Sequence, residues 1–249
     1  MNIVRDEFTQ RLLSDSGLEK GMRVLDVGCG TGDLSIMVAE LVGNCGKIVG
    51  IDISEPPLTL AKKAVQKREI SSVEFLQADI LDLPDSIGTF DAVVGRRVLM
   101  YQNNVSQSID CLLAHLNPGG KMIFQESDSM ASSLSPKSMP LHMKVQSWIW
   151  DTVANEGGNT HIGTQLYALM KSSGLSVTLL RSEAILHTIE SGSDLGWVAK
   201  MMAPRIIGCG IATEEEMDVD TLENRLESEL KDSDVPFIRD MAFGICARK

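Results

Sequence analysis

Basic charge, paired cysteines and long apolar runs are all scarce in this chain, and each shortage closes off a class of function. Lysine and arginine number 23 against 34 aspartates and glutamates, giving a formal net charge of -11 over 249 residues. A surface of that sign repels a phosphate backbone on approach, so nucleic acid is not an expected partner. The short basic cluster Lys62, Lys63, Lys67 and Arg68 has the spacing of a solvated helix face and does not reverse this. No apolar run reaches the ~20 residues of a bilayer span, and residues 1–6 lack a signal-peptide core; a cytoplasmic chain without membrane association is expected. The five cysteines are odd in number and scattered without metal-ligand spacing, so reduced thiols and no metal are expected. The length suits a single domain, 1–249, with one modest insertion.

What the chain does have is a glycine-rich turn. Residues 24–33 read VLDVGCGTGD, a short apolar strand running into three alternating glycines and then a helical pattern. Glycines at such a turn remove the Cβ atoms that would hold a ligand away from the backbone, and the following helix begins with unpaired N–H groups. The glycines come as G-x-G-x-G with Asp26 two residues ahead, not as the G-x-G-x-x-G dinucleotide fingerprint. Residues 47–52, KIVGID, form a second strand ending in Asp52, twenty residues beyond Gly32; an acid there can accept two hydrogen bonds from a ribose diol. A third strand, 73–77, is followed by Asp79. A fourth, 90–94, is followed by Arg96, Arg97 and Met100, and a Pro-Gly-Gly turn at 118–120 leads into a fifth.

In this order the motifs resemble those of the class I S-adenosylmethionine-dependent methyltransferases of small-molecule type, strongly over about residues 20–128. The resemblance implies an α/β fold: a doubly wound, Rossmann-like, seven-stranded and mostly parallel sheet, its last strand antiparallel, with a small helical cap inserted after the fifth strand, here 129–175. It implies S-adenosylmethionine as cofactor. Gly28, Gly30 and Gly32 then pass the methionine moiety, Asp52 takes the ribose, Asp79 meets the adenine amino group, and Asp26 reaches the amino-acid part through water. Cys29, Ile53, Ile80 and Arg96 complete the cofactor set, Cys29 as a filler of the loop without a base partner. The reaction implied is methyl transfer to an O, N or C nucleophile of a small molecule, by a monomer or homodimer. A non-methylating enzyme of the same fold, such as a cyclase, is the alternative. An NAD-dependent dehydrogenase ranks below both, because it needs the wider glycine spacing.

Asp82 and Asp85 read as solvated loop acids, and Asp91, at the start of its strand, as structural. Catalytic candidates are Glu126, where the fifth strand leaves the sheet, with Arg97 beside the ligand crevice and His142 on the cap helix; Asp128 and His161 are further proton acceptors to weigh. Substrate contacts are assigned to Met100, Tyr101, Asp128, Trp148, Trp150 and Met201. Residues 141–153 read as a helix apolar on more than one side, followed by a helix at 162–173, a strand at 176–189, helices at 194–207 and 214–230, and a last strand at 237–247.

Overall fold

The computed structural model describes residues 3–134 and 138–249. Five strands, β1 (Arg23–Val27), β2 (Lys47–Asp52), β3 (Val73–Gln77), β4 (Phe90–Arg96) and β5 (Leu116–Asp128), are followed by β6 (Ser176–His187) and β7 (Phe237–Arg248). They form one sheet in the order β3-β2-β1-β4-β5-β7-β6, with β7 antiparallel. Parallel pairing is in register across β1–β2, β1–β4, β2–β3 and β4–β5, apart from an irregularity between Phe90 and Ala92. Because β1 lies between β2 and β4, the strand order reverses beside its carboxyl end. That reversal is where open α/β sheets hold ligands.

The chain divides into two compact units. The larger comprises residues 9–126, 164–181 and 243–249, and so carries strands β1 to β4, most of β5 and the paired halves of β6 and β7. Its crossover helices are α2 (Asp33–Val42), α3 (Glu55–Lys67) and α4 (Val105–Ala114). The near-continuous burial of β1 and β4 fits strands covered on both faces. Val24, Ile48, Ala92, Val94 and Ile123 of the strands pack with Met37, Val38 and Val42 of α2, and with Leu12 and Leu13 of the N-terminal helix α1 (Ile3–Asp15). Lys62, Lys63, Lys67 and Arg68 are exposed, as the helix-face spacing predicts. Asp91 accepts the Arg23 N–H and the Asn117 side-chain amide, both at 2.9 Å, a structural role at the strand start.

The smaller unit comprises residues 1–8, 127–163 and 182–242. It holds α5 (Pro140–Asn155), α7 (Leu195–Gly208), α8 (Glu214–Met217) and α9 (Leu222–Lys231), while α6 (Ile162–Ser172) lies mostly in the larger unit. Helix α5 packs against α7 and α9. The helix read at 214–230 is two helices. A capping box at Thr213 and Glu216 starts α8, and Asp218 in the left-handed region (φ 40°) ends it after one turn. Among the described residues, no helix is long and apolar enough to cross a membrane.

Candidate cofactor site

The G-x-G-x-G turn works because its glycines take backbone conformations that a side chain would oppose. Gly28 has φ +63°, and a Cβ there would stand 2.6 Å from Cγ2 of Val98, so the turn and the loop after β4 are in direct contact. Gly30, at φ +53°, is the opposite case: a Cβ would meet nothing within 4 Å. It keeps its backbone bare toward open space, as a close-approaching ligand requires. The Cys29 N–H donates to the Ile51 carbonyl at 2.9 Å, which ties the turn to the end of β2.

Asp52, at the end of β2, completes that tie. Its Oδ2 accepts the Gly30 N–H and its Oδ1 the Ser54 N–H, each at 2.9 Å. A carboxylate has about four acceptor positions, so one on each oxygen remains for a vicinal diol. Asp79 repeats the arrangement after β3, where Oδ1 accepts the Leu81 N–H at 2.9 Å. Both acids line a cavity of about 500 Å³ together with Gly28, Ile53, Ile80, Arg97 and Tyr101. These seven residues come from separate motifs in the sequence and share one wall-to-wall space. The same cavity is bounded by Leu81, Val98, Gln102 and Asn103, which sequence reasoning missed; the polar Gln102–Asn103 pair just beyond β4 was the available signal.

Asp26 lies in β1 beneath the turn, fully buried. Its Oδ2 accepts the Ser35 hydroxyl at 2.5 Å, and its Oδ1 has no partner. Burial lifts its carboxyl to about 7, against the pull of Ser35 and the Arg96 charge, with Asp52 adding to the rise. Burial, helped by the Asp26 and Asp52 charges, also pushes the Cys29 thiol up, which keeps it protonated and inert as a nucleophile. Arg96 reaches the Thr9 hydroxyl at 3.4 Å, and Thr9 in turn donates to Gln125 at 2.6 Å. Met100 is buried in the loop after β4.

Glu126, the last β5 residue of the larger unit, is fully buried. Its Oε1 accepts the Val98 N–H at 3.1 Å and the Leu99 N–H at 2.9 Å. Burial raises this carboxyl to about 7, opposed by the amides of Leu99, Val98 and Met100 and by the Arg97 charge.

The remaining candidates belong to the smaller unit. His142 sits in the first turn of α5 with its ring fully buried at 4.9 Å from the Phe237 ring. Glu229 of α9, which the sequence did not flag, accepts from the Leu141 and His142 backbone N–H groups and from His142 Nδ1, at 2.8, 2.8 and 2.7 Å. It thus caps α5 with a carboxylate, where the helix dipole favours negative charge. Desolvation lowers the His142 pKa despite Glu229, leaving a neutral ring whose Nδ1–H is the donor. Trp148 and Trp150 are both buried, whereas Met201 is exposed on α7. Asp128 is fully buried; its Oδ1 accepts the Met130 N–H at 3.0 Å and stands 3.2 Å from His161 Nδ1. The His161 side chain is 61% exposed. A carboxylate can only accept, so Nδ1 carries the proton and Nε2 becomes the acceptor nitrogen of the ring.

A glycine turn open at Gly30, acids at the ends of β2 and β3 with lone pairs to spare, and an orphaned buried carboxylate oxygen on Asp26 fit a nucleoside cofactor carrying an amino-acid tail. A family model described as a methyltransferase domain matches residues 18–174. The chain belongs to the methyltransferase-domain family. It is 31% identical over 139 residues to a demethylmenaquinone methyltransferase of Lactococcus lactis, covering 56% of this chain and 55% of the relative. It is 37% identical over 113 residues to the Bacillus cereus protein of the same name, covering 44% and 46%. This methyltransferase-family chain therefore spans about half the length of the curated relatives it matches. Among solved structures, the [4+2]-cyclase SpnF superposes with a TM-score of 0.61 at 21% identity, over 98% of this chain and 80% of the other; that likeness establishes the fold.

Proposed function

We propose that the chain transfers a methyl group from S-adenosylmethionine to a nucleophilic atom of a small molecule. The observation that carries the reading is Asp52: a carboxylate tethered to Gly30 and Ser54 that faces the same cavity as Asp79, with an acceptor position left on each oxygen. Asp52 holds the ribose, Asp79 the adenine amino group, and Asp26 reaches the amino-acid part through water. When bound, the cofactor supplies a methyl group already activated on a sulfonium, so the chain's task is mainly orientation for in-line attack and exclusion of water.

A protonated nucleophile needs a proton acceptor, and we assign that role to His161. Asp128 Oδ1, 3.2 Å from Nδ1, orients the ring, and the His161 side chain is exposed. Such a dyad orients an imidazole in the way a general base requires. His142, enclosed between Glu229 and Phe237, serves the packing of α5. Relatives named demethylmenaquinone methyltransferase make quinol-type molecules the first acceptor class to test.

The test is calorimetry with S-adenosylhomocysteine, followed by incubation of the protein and labelled cofactor with phenolic, amine and quinol-type acceptors under mass-spectrometric detection. Binding together with a labelled product supports the reading. Folded protein that gives no heat up to millimolar ligand overturns it. Binding with no labelled product from any acceptor overturns the transfer and leaves the cofactor site standing.

A further inference from the structure

We infer that Glu126 is a positioning residue that holds the wall of the cofactor cavity, rather than the proton acceptor its place at the end of β5 suggests. The inference rests on the cavity being the cofactor site and concerns how that site keeps its shape. Beyond β4 the chain turns sharply: Arg97 adopts a left-handed conformation (φ 56°), its N–H donates to the Gln125 carbonyl at 2.8 Å, and a short 3₁₀ turn follows at Leu99–Tyr101. Arg97, Val98, Tyr101, Gln102 and Asn103 from this stretch form one side of the cavity. The first amides of such a turn have no partner within it. Glu126 Oε1 takes both the Val98 and the Leu99 N–H.

Val98 transmits that anchor to the glycine turn. Its Cγ2 lies where a Cβ on Gly28 would be, at 2.6 Å, and its Cγ1 lies 2.8 Å from where a Cβ on Gly95 would be. The side chain is wedged between two bare backbones, so a loop shifted by part of an ångström either presses on Gly28 or opens a gap beside it. Glu126 therefore sets the loop, the loop sets Val98, and Val98 sets the turn that receives the cofactor. A proton acceptor has to meet the substrate. Glu126 has no exposed surface, its Oε1 is engaged by two backbone N–H groups, and its Oε2 is buried without a partner.

Two variants separate the roles. Glu126→Gln retains a carbonyl oxygen that can accept both N–H groups, whereas Glu126→Ala leaves them buried without an acceptor. In Ala, the Kd for S-adenosylhomocysteine and the KM for the cofactor are expected to rise about 10- to 100-fold, the scale set by orphaned amides, with a much smaller fall in kcat. In Gln, both should return to within about fivefold of the parent, because only the charge assistance is lost. An Ala variant that binds within about twofold of the parent overturns the inference. So does a Gln variant whose kcat drops about 10²-fold at unchanged Kd, the signature of a lost general base. If Ala does not fold, the Gln result still decides. Hydrogen exchange of the parent adds an independent readout: the Val98 and Leu99 amides should be protected, and exchange at the open-chain rate would overturn the anchor even if the parent binds no cofactor at all.

Discussion

Replacing Asp52 with alanine probes the cofactor site at its most heavily used atoms. The carboxylate already accepts the Gly30 and Ser54 N–H groups at 2.9 Å, which leaves one acceptor position per oxygen for the two ribose hydroxyls. A hydrogen bond to a charged group contributes about 1.5–3 kcal/mol, and the half-open position of Asp52 points to the low end for each. Two such bonds amount to about 3 kcal/mol, or close to 10²-fold in Kd, before any loosening of the Gly30 tether is added. Titration calorimetry with S-adenosylhomocysteine reads this directly, and a melting curve checks the fold. Asp52→Asn should lie between parent and Ala at about 10-fold, because its NH₂ faces a backbone N–H donor and it keeps one acceptor oxygen. If Ala binds within about threefold of the parent, Asp52 does not hold the ligand and the ribose assignment is wrong.

Removing the proposed proton acceptor, His161→Ala, should lower kcat by about 10²-fold or more while leaving the Kd for S-adenosylhomocysteine at the parent value; unchanged turnover would remove His161 from the chemistry. His142, whose pKa is held below 6.5 by burial, is bound neutral in the folded chain, so the stability it confers is complete above about 6.5 and is lost as pH falls through its folded value. Urea unfolding of the parent and of His142→Gln at pH 7.5 and pH 5 should show the parent losing more on acidification, by up to about 1.4 kcal/mol per pH unit for the one proton involved; parallel losses would refute it. Asp26, at about 7 in the ligand-free chain, should ionise when the ligand's ammonium arrives, so binding releases a proton and affinity climbs as pH rises toward 7, then levels off. Calorimetry at pH 6.5 in two buffers of different ionisation enthalpy would report that proton, and its persistence in Asp26→Asn would refute the assignment.

The parts of the site that follow from strand ends and glycine spacing were legible in the sequence, and those made by contacts between distant segments were not. Asp52 and Asp79 stand at the ends of short apolar strands, where the rule for open α/β sheets places ligand contacts, and both line the cavity. Glu126 was found by the same rule, but its engagement with Val98 and Leu99 spans 27 to 28 residues and depends on how the chain turns after β4. The Glu229–His142 pairing spans 87 residues and has no local pattern at all, so His142 stood among the catalytic candidates. Apolar periodicity gave α5 correctly as a helix buried on several sides, with an exposed stripe at Lys144, Ser147 and Asp151. Helix α1 also has an exposed stripe, at Glu7, Gln10, Arg11 and Ser14, but its buried face mixes Asp6 and Thr9 with Phe8, Leu12 and Leu13, so the apolar signal was weak there. The break between α8 and α9 starts at Asp218, whose left-handed backbone leads into Val219, Asp220 and Thr221, all weak helix formers that the apolar spacing on either side obscured.

The acids in and beneath the candidate cofactor cavity share a division of labour. Asp52 and Asp79 each engage backbone N–H groups of the loops beside them, and Glu126 does the same from below, so loops without regular structure are held by carboxylates instead of by ladder partners. Loops anchored in this way keep their main chain fixed while the side chains between the anchors remain exchangeable. Arg97, Tyr101 and Asn103 occupy such positions: they line the cavity, while the atoms that fix the loop belong to Glu126, Gln125, the backbone of Val98 and Leu99, and Gln102, whose amide reaches the Val98 carbonyl at 3.4 Å and accepts the Ser108 hydroxyl at 3.1 Å. Conservative substitutions at those three, which leave the anchors in place, should therefore loosen the cofactor less than substitutions at Glu126, and a larger loss at Tyr101 or Asn103 than at Glu126 would refute the division.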